Sequence, residues 1–142
     1  MKNDLAVIDT NILVSSLIGT TGYSRKIFDD LILTGKIKIC ISNSVFSEYS
    51  EVLMRDRFKK YPEFVDASII LLDKIKKHAL WFEPKLKIDV LEDKDDNKFI
   101  ELAVEARAAY IVTGNTNDFI LKSYEGISIC SPKEFYDIQT VI

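Results

Sequence analysis

Apolar residues gather in short runs over residues 5–8, 37–41, 110–113 and 127–130, and between these runs they recur with helical spacing. A short continuous apolar run is the mark of a strand buried on both faces. The pattern therefore predicts β/α alternation, a mainly parallel sheet and helices on both of its faces. Residues 79–82 offer a further strand. Helical spacing covers residues 11–18 and 23–34, broken by Gly19-Thr20-Thr21-Gly22 and ended by Gly35. A helix starting near Ser44 sets Val45, Phe46, Tyr49, Val52 and Leu53 on one face, and Pro62 opens another that reaches about Lys77. Those two suit an αα-hairpin. Ser131-Pro132-Lys133-Glu134 reads as a capping box with proline at the first helical position, starting a last helix that ends near Ile138.

The chain has 142 residues, which fits a single domain over residues 1–142, one able to bury roughly 68% of its unfolded surface. Gly (5) and Pro (3) are too few to mark a boundary within it. Nothing approaches the ~18 uninterrupted apolar residues of a membrane span, and the first strand follows Met1-Lys2-Asn3-Asp4 with no signal-peptide pattern. A soluble, cytoplasmic protein with no membrane partner is expected. Cys40 and Cys130 each end an apolar run and read as core hydrophobes, and with His78 the sole histidine they make a poor zinc site. The formal charge of -3 argues against a broad basic surface for duplex DNA. The run from Arg55 to Lys60 reads as a solvated helix end, with handling of a nearby phosphate as the alternative.

Four acids then stand out, at Asp9, Glu48, Asp96 and Asp118. Asp9 lies at the carboxyl end of the first strand, where open parallel sheets hold ligands, although an N-cap for the next helix would ask for the same side chain. On a helical wheel Glu48 falls at the margin of the buried arc beside Val52, whereas Glu51 turns to solvent. Asp96 lies above Phe99 and Ala103, on the inward side of its helix. Helix-dipole complementarity explains Glu92 and Asp93 in the same acidic run and explains an inward Asp96 poorly. After the strand at 110–113, Thr113, Asn115 and Asp118 all offer oxygens, as turn residues also would. Carboxylates gathered at one sheet edge repel one another by about 1 to 4 kcal/mol per pair at 4 Å unless a cation joins them. An oxygen-only set favours Mg²⁺ or Mn²⁺, and such a site suits hydrolysis of a phosphodiester by an activated water.

The segments Val7-Ile8-Asp9-Thr10-Asn11, Ser42-Asn43-Ser44 with Glu48, Asp93-Lys94-Asp95-Asp96-Asn97 and Val112-Thr113-Gly114-Asn115 resemble the PIN domain. The resemblance runs from Leu5 to Phe135 and is nearest to the branch of toxin–antitoxin toxins; VapC-like ribonucleases belong to the same superfamily. It implies a three-layer α/β/α sandwich with a mainly parallel four- to five-stranded sheet. It also implies an endoribonuclease that depends on Mg²⁺ or Mn²⁺. By the same resemblance Asp9, Glu48 and Asp96 ligate the metal, Asn11 and Thr113 support them, and Asp95 is an alternative to Asp96. A cognate antitoxin and a homodimer follow as partners beside the RNA substrate. The family usually has an aspartate where this chain has Asn115, which leaves the fourth ligand between Asn115 and Asp118 and one or two metals open. A catalytically weak RNA- or protein-binding module is the competing reading. A phosphatase with Asp9 as nucleophile is opposed by Asn11, whose amide cannot act as the general acid.

Overall fold

The computed structural model describes residues 4–18, 22–91, 96–114 and 123–140. The break at 19–21, the acidic run at 92–95 and the loop at 115–122 lie outside the described residues, and with them Asp95, Asn115 and Asp118. Among the described residues six strands form one sheet: β1 (Leu5–Ile8), β2 (Lys38–Ile41), β3 (Leu80–Trp81), β4 (Tyr110–Val112), β5 (Ser123–Tyr124) and β6 (Ile127–Cys130). Their order is β3-β2-β1-β4-β6-β5, and each pairing is parallel except β5 with β6. The four longer apolar runs and the run at 79–82 all become strands. The sheet exceeds the expected four to five strands through β5, which is too short to leave an apolar run. Its hairpin turns on Glu125 and Gly126, with φ of 48° and 85°, the left-handed pair that a two-residue connection requires.

Consecutive residues of the central strands are buried, Ala6, Val7 and Ile8 completely so, which requires cover on both faces of the sheet. The helices that supply it are α1 (Thr10–Ile18), α2 (Tyr23–Lys26), α3 (Asn43–Leu53), α4 (Asp56–Lys59), α5 (Pro62–His78), α6 (Asn97–Ala106) and α7 (Pro132–Thr140). This is the expected α/β sandwich with a mainly parallel sheet. Two helical details differ from the sequence expectation. The helix from Tyr23 widens into a π-helical segment over Ile27–Ile32, where the Leu33 N–H donates to the Phe28 carbonyl at 2.9 Å. The wider turn buries Ile27, Phe28, Leu31 and Ile32 together. The Arg55–Lys60 run is a separate short helix, α4, which places Phe58 in a stack on Phe64 with ring centres 4.3 Å apart. Its charges engage locally, Arg55 with Glu51 and Lys59 with Asp56, as a solvated helix end would.

The caps at Pro62 and Ser131 follow the sequence, and Ser42 adds one that the expected start near Ser44 did not include. Ser42 accepts the Val45 N–H to start α3, Pro62 opens α5, and Ser131 and Glu134 exchange the two bonds of a capping box at α7. Gly35 has φ of 81°, the left-handed conformation that stops the second helical stretch. Cys40 and Cys130 are buried free thiols, each pushed up to about 12 by desolvation. Among the described residues no helix is long and apolar enough to cross a membrane.

The chain from Lys85 to Leu91 runs beside α6 and is laced to it by side chains four residues apart. Glu105 accepts the Lys85 N–H at 3.2 Å and Glu101 the Ile88 N–H at 2.9 Å. Asn97 Oδ1 accepts both the Val90 and Leu91 N–H groups, at 3.2 and 3.0 Å. The i, i+4 spacing aligns all three acceptors along one side of the helix. Asn97 is buried, so Asn97→Ala leaves two backbone donors without their acceptor and should lower unfolding free energy by about 1–3 kcal/mol, read as a reduced urea midpoint at unchanged slope.

Candidate functional site

The chain winds outward from β1 to β2 and β3, then returns to β4 on the other side of β1. The seam between β1 and β4 is therefore the topological switch point, beyond whose carboxyl ends open α/β sheets carry ligands. Ile8 pairs with Val112, so the next residues, Asp9 and Thr113, emerge side by side. The Asp9 N–H donates to the Val112 carbonyl at 2.9 Å, and Thr113 Oγ1 donates to Asp9 Oδ2 at 2.7 Å. Both residues are buried, Asp9 to 5% exposure and Thr113 to 0%.

Helix α3 brings the second carboxylate. Tyr49 is fully buried and its hydroxyl donates to the Ile8 carbonyl, which pins α3 to the end of β1 one residue before Asp9. Its neighbour Glu48 is thereby held at the seam. Glu48 Oε2 accepts from the Thr10 hydroxyl, and Glu48 Oε1 accepts from Lys98 Nζ at 2.8 Å. The wheel's distinction holds: the Glu48 side chain is 21% exposed and that of Glu51 61%.

Desolvation is the largest influence on Asp9 and raises its pKa above the ordinary carboxylate value. The Thr113 hydroxyl opposes that rise, the charge of Glu48 adds to it, and the N–H groups of Thr10 and Asn11 oppose it again. Asp9 thus serves as the helix-start acceptor weighed in the sequence, and its charge is buried beside a second carboxylate. Burial, together with the charges of Asp9 and Glu48, holds the Tyr49 phenol well above its ordinary value, so it remains a donor.

The other expected residues are less closely joined. Asp96 occupies the N-cap position of α6 in a helical conformation, half-buried, without its side chain capping the helix. Asn11 lies exposed on the first turn of α1. Among the described residues no three or more Asp, Glu, His or Cys side chains are grouped so as to hold a metal ion. The structure thus brings Asp9, Glu48 and Thr113 together, and places Asp96 at the start of α6.

Two participants were not singled out from the sequence, Thr10 and Lys98. The wheel that marked Glu48 carries the signal for Lys98, which falls at the margin of the buried face of α6 beside Leu102. The cue for Thr10 was a hydroxyl directly after Asp9.

The family model described as the PIN domain matches residues 5–117, short of the Ser131–Phe135 segment that the sequence resemblance included. The uncharacterized protein MJ1680 of Methanocaldococcus jannaschii is 30% identical over 139 residues, covering 92% of this chain and 88% of the relative. Among solved structures, VapBC2 from Rickettsia felis bound to a DNA fragment from their promoter has a chain that superimposes with a TM-score of 0.58 at 16% identity, over 89% of this chain and 98% of that one. FitAB bound to IR36 DNA gives 0.59 at 16%, over 89% and 94%. DNA-bound VapBC from Salmonella typhimurium gives 0.56 at 15%, over 89% and 97%. At these identities the likeness establishes the fold.

Asp9→Asn keeps an acceptor for Thr113 and removes the buried charge. Because the folded pKa of Asp9 lies above its unfolded value, the stability this group contributes is complete below the unfolded pKa and is lost as pH rises through the folded one. The variant should therefore melt roughly 3 °C higher than the native chain at neutral pH in metal-free buffer, with the gap closing on acidification, as followed by calorimetry.

Proposed function

The chain belongs to the PIN domain family, and on that footing we propose that it is a metal-dependent endoribonuclease that hydrolyses RNA phosphodiester bonds. The observation that carries this reading is the buried Asp9 carboxylate beside Glu48 at the β1/β4 switch point. Two like charges placed together against desolvation suit a site made for a cation, and all the donors in reach are oxygens. Asp9 and Glu48 would hold Mg²⁺ or Mn²⁺. A third carboxylate would come from Asp96, or from Asp95 or Asp118, with Asn115 able to offer a carbonyl oxygen.

Such an ion supplies Lewis acidity at the phosphate and offsets the charge of the two carboxylates. The chain's own residues do the positioning. Thr113 fixes one oxygen of Asp9, the N–H groups of Thr10 and Asn11 add to its hold, and Thr10 fixes one oxygen of Glu48. Tyr49 sets how deeply α3 enters, and Asn11 at the exposed rim would meet the substrate or an ordered water.

A toxin of a toxin–antitoxin pair is the biological setting we infer. The family membership supports it, as does the likeness in fold to chains of the VapBC and FitAB structures. A cognate antitoxin is the implied partner and a homodimer the implied assembly, in the cytoplasm. The second reading, an RNA- or protein-binding module with little or no cleavage, draws on one observation: no third acid joins Asp9 and Glu48 among the described residues.

Cleavage of a mixed pool of single-stranded and structured RNAs in Mg²⁺ or Mn²⁺ tests this. The native chain should cut, EDTA should stop it, and Asp9→Asn, Glu48→Gln and Asp96→Asn should each slow cleavage by about a hundredfold or more, the scale on which loss of a group acting on the transition state registers. RNA binding without cleavage in either metal would instead establish the binding module.

A further inference from the structure

Each oxygen of Glu48 accepts one hydrogen bond, and of the two partners only Lys98 carries a positive charge that a divalent cation on this carboxylate would repel. Thr10 is a poor candidate to yield. It is 4% exposed, β-branched and fixed in the first turn of α1. Lys98 differs: its side chain is 25% exposed and its ammonium ends a flexible four-carbon stem. The Lys98 ammonium at 2.8 Å from Glu48 Oε1 already does part of what a metal would do, which is to lay positive charge on the Glu48 side of the carboxylate pair.

We propose that Lys98 is a resident counter-cation of the Asp9–Glu48 pair, which occupies Glu48 Oε1 in the metal-free protein and moves to a non-bridging phosphate oxygen of the RNA when a divalent cation takes that carboxylate. The proposal rests on the nuclease reading and adds a residue to it. It assigns Lys98 two consequences of opposite sign. The side chain weakens metal binding in the free protein, because its charge must leave the carboxylate. It strengthens RNA binding in the metal-loaded protein, because the displaced ammonium is then available to a phosphate of the strand bound there. Metal and RNA are thereby coupled, each favouring the arrangement that the other requires.

The test compares the native chain with Lys98→Met, which keeps the stem and removes the charge, and with Lys98→Arg, which keeps the charge. Mn²⁺ titration by calorimetry without RNA should show Lys98→Met binding about threefold to tenfold more tightly, the range for loss of one competing half-buried ion pair, with Lys98→Arg within about twofold of native. Binding of a single-stranded oligoribonucleotide in Ca²⁺, with the strand checked for integrity, should lose salt dependence in Lys98→Met by a slope of about 0.7, the release of one phosphate counterion. Metal-free melting curves report whether each variant is folded, and Lys98→Arg carries the test if Lys98→Met is not, since a native-like Mn²⁺ affinity and salt slope are required of it.

Unchanged or weaker Mn²⁺ binding by folded Lys98→Met, while Asp9→Asn abolishes binding, would overturn the proposal and leave the nuclease site intact. Tighter Mn²⁺ binding with an unaltered salt slope would overturn the phosphate contact. Failure of every protein, native included, to bind Mn²⁺ would overturn the metal-site reading and this proposal together.

Discussion

A carboxylate taken out of water at the seam of two parallel strands constrains everything around it. Asp9 follows directly on β1 and is buried where β1 meets β4, so its charge needs donors that the sheet itself cannot give. They come from three sources: the Thr113 hydroxyl at the end of the neighbouring strand, and the N–H groups of Thr10 and Asn11 where α1 begins. The register of β1 on β4 is what sets Thr113 beside Asp9, and a slip of one residue would turn Thr113 to the opposite face. Strand pairing and the electrostatics of the site are thus one constraint. The remaining repulsion, from Glu48, is left in place and is balanced on its far side by Lys98.

The two helices that meet at this seam are used alike. Each has a broad apolar face committed to the core and offers the site only a residue from the margin of that face, Glu48 on α3 and Lys98 on α6. A residue at the centre of the face would be sealed among apolar neighbours, and one opposite would reach only solvent. Marginal placement joins a rigid backbone footing to a side chain with its tip at the seam. Tyr49 shows how strict the footing is, since its buried hydroxyl finds its acceptor on Ile8, the residue before Asp9.

Much of this was legible in the sequence because burial on both faces of a parallel strand leaves an unbroken apolar run, and each such run became a strand. Two caps were equally plain, since Pro62 and the Ser131–Glu134 box act through their immediate neighbours. What escaped depends on partners remote in sequence or on elements too short to have a period. The π-helical turn at Ile27–Ile32 keeps a helical pattern and differs only in which carbonyl each N–H meets. The four residues of α4 and the two of β5 lie below the length at which periodicity speaks. The pair between Glu48 and Lys98 spans 50 positions, and composition cannot tell which of the chain's lysines returns to which carboxylate.

The lacing of the 85–91 segment to α6 divides the burden of recognition unequally between the two. Four of its donors are backbone N–H groups, which all residues except proline possess, and their acceptors are the side chains of Glu105, Glu101 and Asn97; one bond runs the other way, from Asn97 Nδ2 to Asp89 Oδ1 at 3.4 Å. Apart from Asp89 and the core-packed Ile88 and Leu91, the extended segment can therefore change its side chains and keep its course. Along α6 the liberty is reversed, for there the three acceptors must remain in step with the turns of the helix. Drift at the segment's exposed positions is harmless to the helix that carries Lys98, while a single residue inserted between Asn97 and Glu101 would turn Asn97 out of step with Glu101 and Glu105.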